Sequence, residues 1–319
     1  MNVNDSELIH FVNMDDPWSV LNEVKTTVLM IFPTFDFGTI DLAFSDFVNL
    51  FAGNYPGYQK CNTRYHDLKH TTDTFMALAR LIHGATTTGA NFTRQGVSLA
   101  LISTLMHDTG YIQTIDDRTG TGAKYTLSHV DLSIDFMSGY FNNKGYPRED
   151  FIFCQNIVNC TGVDVGFGRI QFLNSENELL GKILGTADLL GQMAERGYLE
   201  KLIYLYHEFR EGGVAGYESE LDLLKKTPDF YRVTLKRFEE ELGGVWRHMR
   251  HHFRSRWGLD EDPYKTTIEN HIAYLKDTLQ YHLDNYRDYL RRGCLIPDVD
   301  ELIKIHHQLN TGDPILREN

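Results

Sequence analysis

Apolar residues recur at three- and four-residue intervals along most of the chain, the spacing that lays one apolar stripe along a helix. The pattern holds over residues 40–51, 75–82, 97–106, 127–140, 151–158 and 179–206, and again over 218–242 and 264–289. No run alternates apolar and polar positions as a half-buried strand would, and no segment repeats. The expected fold class is therefore all-α, a helical bundle with additional C-terminal helices. Breaks fall where Gly, Pro and small polar residues gather: GATTTGAN (84–91), DDRTGTGAK (116–124), NNKGYP (142–147) and GVDVGFG (162–168). EGGVAG (211–216) is the best boundary between a central core and a C-terminal portion. The expected organisation is a helical segment over 1–55 packed on the core, a core over 56–210, and a portion over 211–319. No long linker precedes this last portion, so it is expected to pack on the same domain.

Composition narrows the function. With 42% hydrophobic and 24% charged residues among 319, the chain has the balance of a soluble globular protein with a sizeable core. Its formal net charge of −13 argues against a nucleic-acid partner. A small anionic substrate would need local positive charge, which a metal ion can supply. The acidic start MNVNDSELIHFVNMDD has no basic lead into an apolar core, so no secretory signal is expected. The apolar run VSLALISTLM (97–106) falls far short of the about 20 residues that span a bilayer. Cys61, Cys154, Cys160 and Cys294 form no CxxC pair, which fits free thiols in a reducing cytoplasm.

Three segments carry candidate chemistry. YHDLKHTTD (65–73) places His66 and His70 four residues apart, on one face of a helix. Alone, such a pair more often marks two partly exposed residues than a metal site. The apolar element 97–106 ends in Met106-His107-Asp108-Thr109-Gly110. A polar pair closing a buried helix is costly unless compensated, by hydrogen bonds or by a divalent cation. In ILGTADLL (183–190), Asp188 stands alone among apolar neighbours and needs a partner, either a basic side chain or that same cation. Two histidines and two carboxylates from three helices suit zinc, iron or manganese, and a bridging carboxylate could hold a second ion about 3.5–4 Å away.

In order and context, these residues resemble the HD-domain metal-dependent phosphohydrolases, and most closely the catalytic domain of cyclic-nucleotide phosphodiesterases. That family opens its site with a YHNxxHAxD-type segment, continues with a buried helix ending in His-Asp, and closes with an Ala-Asp-Leu segment. YHDLKHTTD, LISTLMHD (101–108) and TADLL (186–190) correspond, and the resemblance spans roughly residues 62–193. It implies His70, His107, Asp108 and Asp188 as ligands of the first metal, Asp108 bridging to a second, and His66 as general acid. The resemblance implies one or two divalent ions, with Zn, Mn, Fe, Mg and Ni as candidates. His129, Asp73 and Tyr65 are candidates for residues behind the ligands or against the substrate. A metal-activated hydroxide would attack a small phosphorylated substrate, a cyclic nucleotide among the candidates, while His66, supported by Asp67 or Asp73, protonates the leaving oxygen.

Two departures shape that expectation. Where the phosphodiesterases have a second His and Pro-Gly after His-Asp, this chain reads Thr109-Gly-Tyr-Ile-Gln113, closer to bacterial HD-domain hydrolases. Gln192 follows Asp188 too soon to be the purine-clamping glutamine of the animal enzymes. The resemblance therefore implies metal-dependent phosphoester hydrolysis more directly than a cyclic substrate. A phosphomonoesterase on the same scaffold and a non-catalytic metal or nucleotide sensor are the alternatives. His129 is the sole histidine between His107-Asp108 and Asp188, which disfavours a di-iron oxygenase. WRHMRHHFRSRW (246–257) reads as a solvated amphipathic face rather than a further metal or phosphate site.

Overall fold

The computed structural model describes residues 12–162 and 166–290. The readings of residues 1–11, of the middle of GVDVGFG and of Cys294 lie outside the described residues. Twelve α-helices are present among those described: α1 Pro17–Ile31, α2 Gly38–Ala52, α3 Leu68–Thr87, α4 Arg94–Met106, α5 His129–Lys144, α6 Arg148–Val158, α7 Ser175–Ala194, α8 Tyr198–Glu211, α9 Glu220–Glu240, α10 His248–Trp257, α11 Pro263–Tyr281 and α12 Tyr286–Leu290. Short 3₁₀ turns join several of them, and one isolated antiparallel bridge pairs Tyr58 with Thr114. The all-α class holds. No helix among the described residues is long and apolar enough to cross a membrane.

Local chemistry starts many of these helices. Asp16, Asp67, Thr93, Asn174, Ser219 and Asp262 stand at N-caps, each side chain accepting a hydrogen bond from an otherwise unpaired N–H of the first turn. Pro17 and Pro263 follow two of these caps, where a missing N–H costs nothing. Gly53, Gly145 and Gly258 end α2, α5 and α10 in the left-handed conformation.

Packing organises the bundle around α3. Residues 70–85 are buried without a break, so this helix is enclosed on every side, as only a helix at the centre of a large body can be. Helices α1, α4, α7 and α10 surround it, and α6 and α11 pack in turn on α7. Of the helices that follow EGGVAG, α10 thus packs on α3 and α11 on α7.

Three differences from the sequence pattern have physical causes. GATTTGAN does not break the chain at its first residue, because α3 continues to Thr87. A Cβ on Gly84 would meet the His248 carbonyl oxygen at 1.9 Å, so this glycine permits contact with α10 instead of ending a helix. The periodic stretch 179–206 is two helices, parted at Glu195–Gly197, where Glu195 turns extended. WRHMRHHFRSRW is not simply a solvated face: Met249, His252 and Phe253 are buried against the rest of the fold.

Candidate metal centre

The three segments singled out in the sequence converge. His70 stands in the first turn of α3, His107 caps the C-terminus of α4, Asp108 follows it, and Asp188 lies in the middle of α7. His70 Nε2 lies 3.1 Å from Asp108 Oδ2 and 3.1 Å from Asp188 Oδ1. His107 Nε2 lies 3.3 and 3.6 Å from the same two oxygens. The helix crossing that allows this is tight: a Cβ on Gly191 of α7 would come within 2.9 Å of the Thr74 backbone nitrogen on α3.

These residues fit a cation. His70, His107 and Asp108 are at most 3% exposed, and their ligand atoms all lie within 4.8 Å of one another. His107 Nδ1–H donates to the Thr104 carbonyl at 2.8 Å, which leaves the Nε2 lone pair directed inward. His107 Nε2 and Asp108 Oδ2 are buried without a hydrogen-bond partner among the described residues, although close to each other. Ligands about 2.1 Å from a shared ion stand roughly 3.0–3.4 Å apart, the spacing of three of these four contacts, the fourth being 3.6 Å. Burial disfavours the imidazolium of His70, but the two carboxylates outweigh it and raise its pKa to about 10. Asp108 is also buried and Asp188 is 14% exposed, yet the neighbouring histidines hold both well below the usual carboxylate range. The cluster thus demands positive charge, from a proton or from a metal.

Beside the cluster is a second group built around His66, in the loop before α3. His66 Nδ1–H donates to Glu208 Oε2 at 2.7 Å, and the other Glu208 oxygen accepts from the Arg64 and Tyr65 backbone N–H groups at 2.8 and 2.7 Å. The Tyr111 ring stacks on His66 with centroids 4.2 Å apart, and its hydroxyl lies 3.5 Å from His66 Nε2. His129 also stacks with Tyr111, 4.7 Å away, and its ring lies 6.2 Å from that of His66. Its Nδ1–H donates to the Thr126 carbonyl, leaving Nε2 3.8 Å from Asp108 Oδ1. The start of α5 is held here by Gly110, whose N–H donates to Ser133 Oγ and whose missing Cβ makes room for the His129 carbonyl.

The carboxylate partnering His66 is therefore Glu208, not Asp67 or Asp73. Asp67 caps α3 through the His70 N–H and accepts from Lys201 Nζ at 3.1 Å, so it is already committed. Asp73 pairs with Lys69 at 3.0 Å and lines a different cavity, between α3 and α7. Tyr65 stacks loosely on His70 and donates its hydroxyl to Gln192 Oε1 at 2.6 Å. Glu208 was missed although its signal was present: a carboxylate among apolar residues of LIYLYHEF, the same cue that marked Asp188. Tyr111, three residues after Asp108, carried no cue of its own.

The cysteine thiols offer no competing chemistry among the described residues. Cys154 and Cys160 are buried, and burial pushes their pKa values, and that of Cys61, up to about 12.

A family model described as Npun_R2479-like matches residues 36–243, a span that includes every residue of both groups. No curated protein and no solved structure matches the chain.

Proposed function

The chain belongs to the Npun_R2479-like family, and from the chemistry of its centre we propose that it is a metal-dependent phosphohydrolase, a phosphodiesterase acting on a small nucleotide-like phosphoester. The observation carrying this reading is the pairing of a buried two-histidine, two-carboxylate cluster with a separately oriented histidine, His66. A structural metal site needs only the first. His66 makes no contact that the cluster requires, yet Glu208 and Tyr111 fix its ring on two sides.

His70, His107, Asp108 and Asp188 would hold the first ion, drawn from Zn, Mn, Fe, Mg or Ni, and Asp108 Oδ1, facing His129, is the oxygen available to a second. A bound divalent ion supplies a Lewis acid and makes water a better nucleophile near neutral pH. The protein's own part is orientation and proton transfer. Glu208 fixes His66 so that Nε2 stays on the Tyr111 side, away from the carboxylate. From there His66 delivers a proton at Nε2 to the departing oxygen, a contribution typically worth 10²- to 10⁴-fold. The stacked faces of Tyr111 and His129 border the same space and limit the water around the phosphoester.

The test is a screen of purified, Mn²⁺-loaded protein against cyclic mononucleotides, nucleoside monophosphates and an aryl phosphodiester, with metal content measured on the same sample. Turnover of a diester is the expected result. A protein that contains metal but turns over no phosphoester would refute the reading. Preference for the monophosphates would move it to a phosphomonoesterase.

A further inference from the structure

Away from the metal centre, a cavity of about 80 Å³ lies between α3 and α7, with Tyr264 of α11 in its wall. Arg80, 1% exposed, is part of that wall. One of its nitrogens, Nη1, donates to the Tyr264 hydroxyl at 2.9 Å, while Nε and Nη2 have no hydrogen-bond partner among the described residues. Its guanidinium carbon lies over the rings of Phe253, Tyr264 and Trp257, 5.2, 5.6 and 5.7 Å from their centroids. The rings position the cation but accept no N–H in its plane. The acids of the same wall are already taken: Asp73 by Lys69, and Glu195 by Lys201, each at 3.0 Å. Asp15, near the rim, is 84% exposed and 3.8 Å from Lys69.

A buried guanidinium with two free donors is unfavourable unless something compensates. The cavity supplies the room. Its volume of about 80 Å³ is well above the roughly 10–15 Å³ a single water needs. Arg is the side chain whose planar fork matches an oxyanion. We propose that this cavity is a binding site for a small oxyanion, held by Nε and Nη2 of Arg80 and entered past Lys69 and Arg196. The site is independent of the hydrolase reading.

The experiment is a calorimetric titration of the full chain with inorganic phosphate, after EDTA treatment so that no metal can hold the anion. Ionic strength is kept constant with chloride. Saturable binding of one phosphate per chain is expected, weakened about tenfold or more in Arg80→Met, as loss of charge-assisted hydrogen bonds requires. Because Arg80→Met can fail to fold, Ala194→Leu provides the second measurement: it fills the cavity and leaves Arg80 intact, and it should weaken binding as much. A parallel titration with acetate separates a phosphate ligand from a carboxylate, and the tighter of the two names the ligand while supporting the site. No saturable heat above the chloride control with either anion, or unchanged binding in Ala194→Leu, would overturn the proposal.

Discussion

His66 and His70 stand four residues apart in one segment, yet their partners differ. His70 faces two carboxylates within 3.1 Å, and His66 faces one, Glu208, on the far side of its ring. The two should separate under mutation. Asp108→Asn removes a negative ligand and should lose both bound metal and turnover. His66→Ala should retain metal by elemental analysis while turnover falls 10²- to 10⁴-fold. Aryl esters with acidic leaving groups should be the least affected, because they need little protonation. Glu208→Gln tests positioning: the amide still accepts from the Arg64 and Tyr65 N–H groups but turns a donor toward His66 Nδ1. Metal content should be unchanged while the pH–rate profile shifts, and an unchanged profile would mean that Glu208 serves only the loop. At this scale Asp108 and Asp188 were legible as candidate ligands, because a buried charge in an apolar run needs a partner, whereas His70 was legible only through the family resemblance. Which carboxylate serves His66 was not legible. Asp67 and Asp73 are nearer in sequence, but Glu208 is 142 residues away and meets it only through the packing of α8.

Between elements, Gly84 decides how closely α10 approaches α3. Ala at position 84 would have the better helix propensity by about 1 kcal/mol. The clash wins, because the Cβ would stand 1.9 Å from a backbone oxygen of α10 that has no rotamer to give way. Gly84→Ala should therefore destabilise by about 1–3 kcal/mol in urea unfolding; a more stable variant would contradict the contact. The same interface holds His83 and His252, with Nδ1 atoms 3.0 Å apart, so one ring donates and the other accepts. Burial, with the charge of Arg80 beside it, lowers the His252 pKa to about 2. Above pH 6.5 His252 is neutral whether folded or not and costs nothing. Below 6.5 the unfolded chain gains a proton that the folded chain refuses, so stability falls as pH drops. Between pH 7.5 and 5.5 this one histidine should account for about 1.4 kcal/mol. His252→Met should flatten the pH dependence of urea unfolding by that amount, and an equal slope in both proteins would show that His252 titrates freely.

For the whole molecule, the proposed metal would be linked to the fold. The candidate ligands come from α3, α7 and the C-terminal end of α4, and the unfolded chain does not gather them. Metal at 100 times its dissociation constant should therefore stabilise the protein by about 2.7 kcal/mol. Addition of EDTA should lower Tm by several degrees in the parent and leave Asp108→Asn unmoved. The sequence by itself determined that the chain is helical, because apolar spacing is a local property that each segment reports. It also marked His107-Asp108 and Asp188 as polar groups in apolar settings, while His70 joined them only through the resemblance of YHDLKHTTD to the phosphodiesterase segment. Only the tertiary structure decided that α3 is enclosed on every side and that Gly84 permits a contact instead of breaking a helix. The pairing of Glu208 with His66 and the burial of Arg80 with two N–H donors unpartnered among the described residues were decided there too. These last features depend on distances between residues far apart in the chain, which periodicity and spacing do not encode.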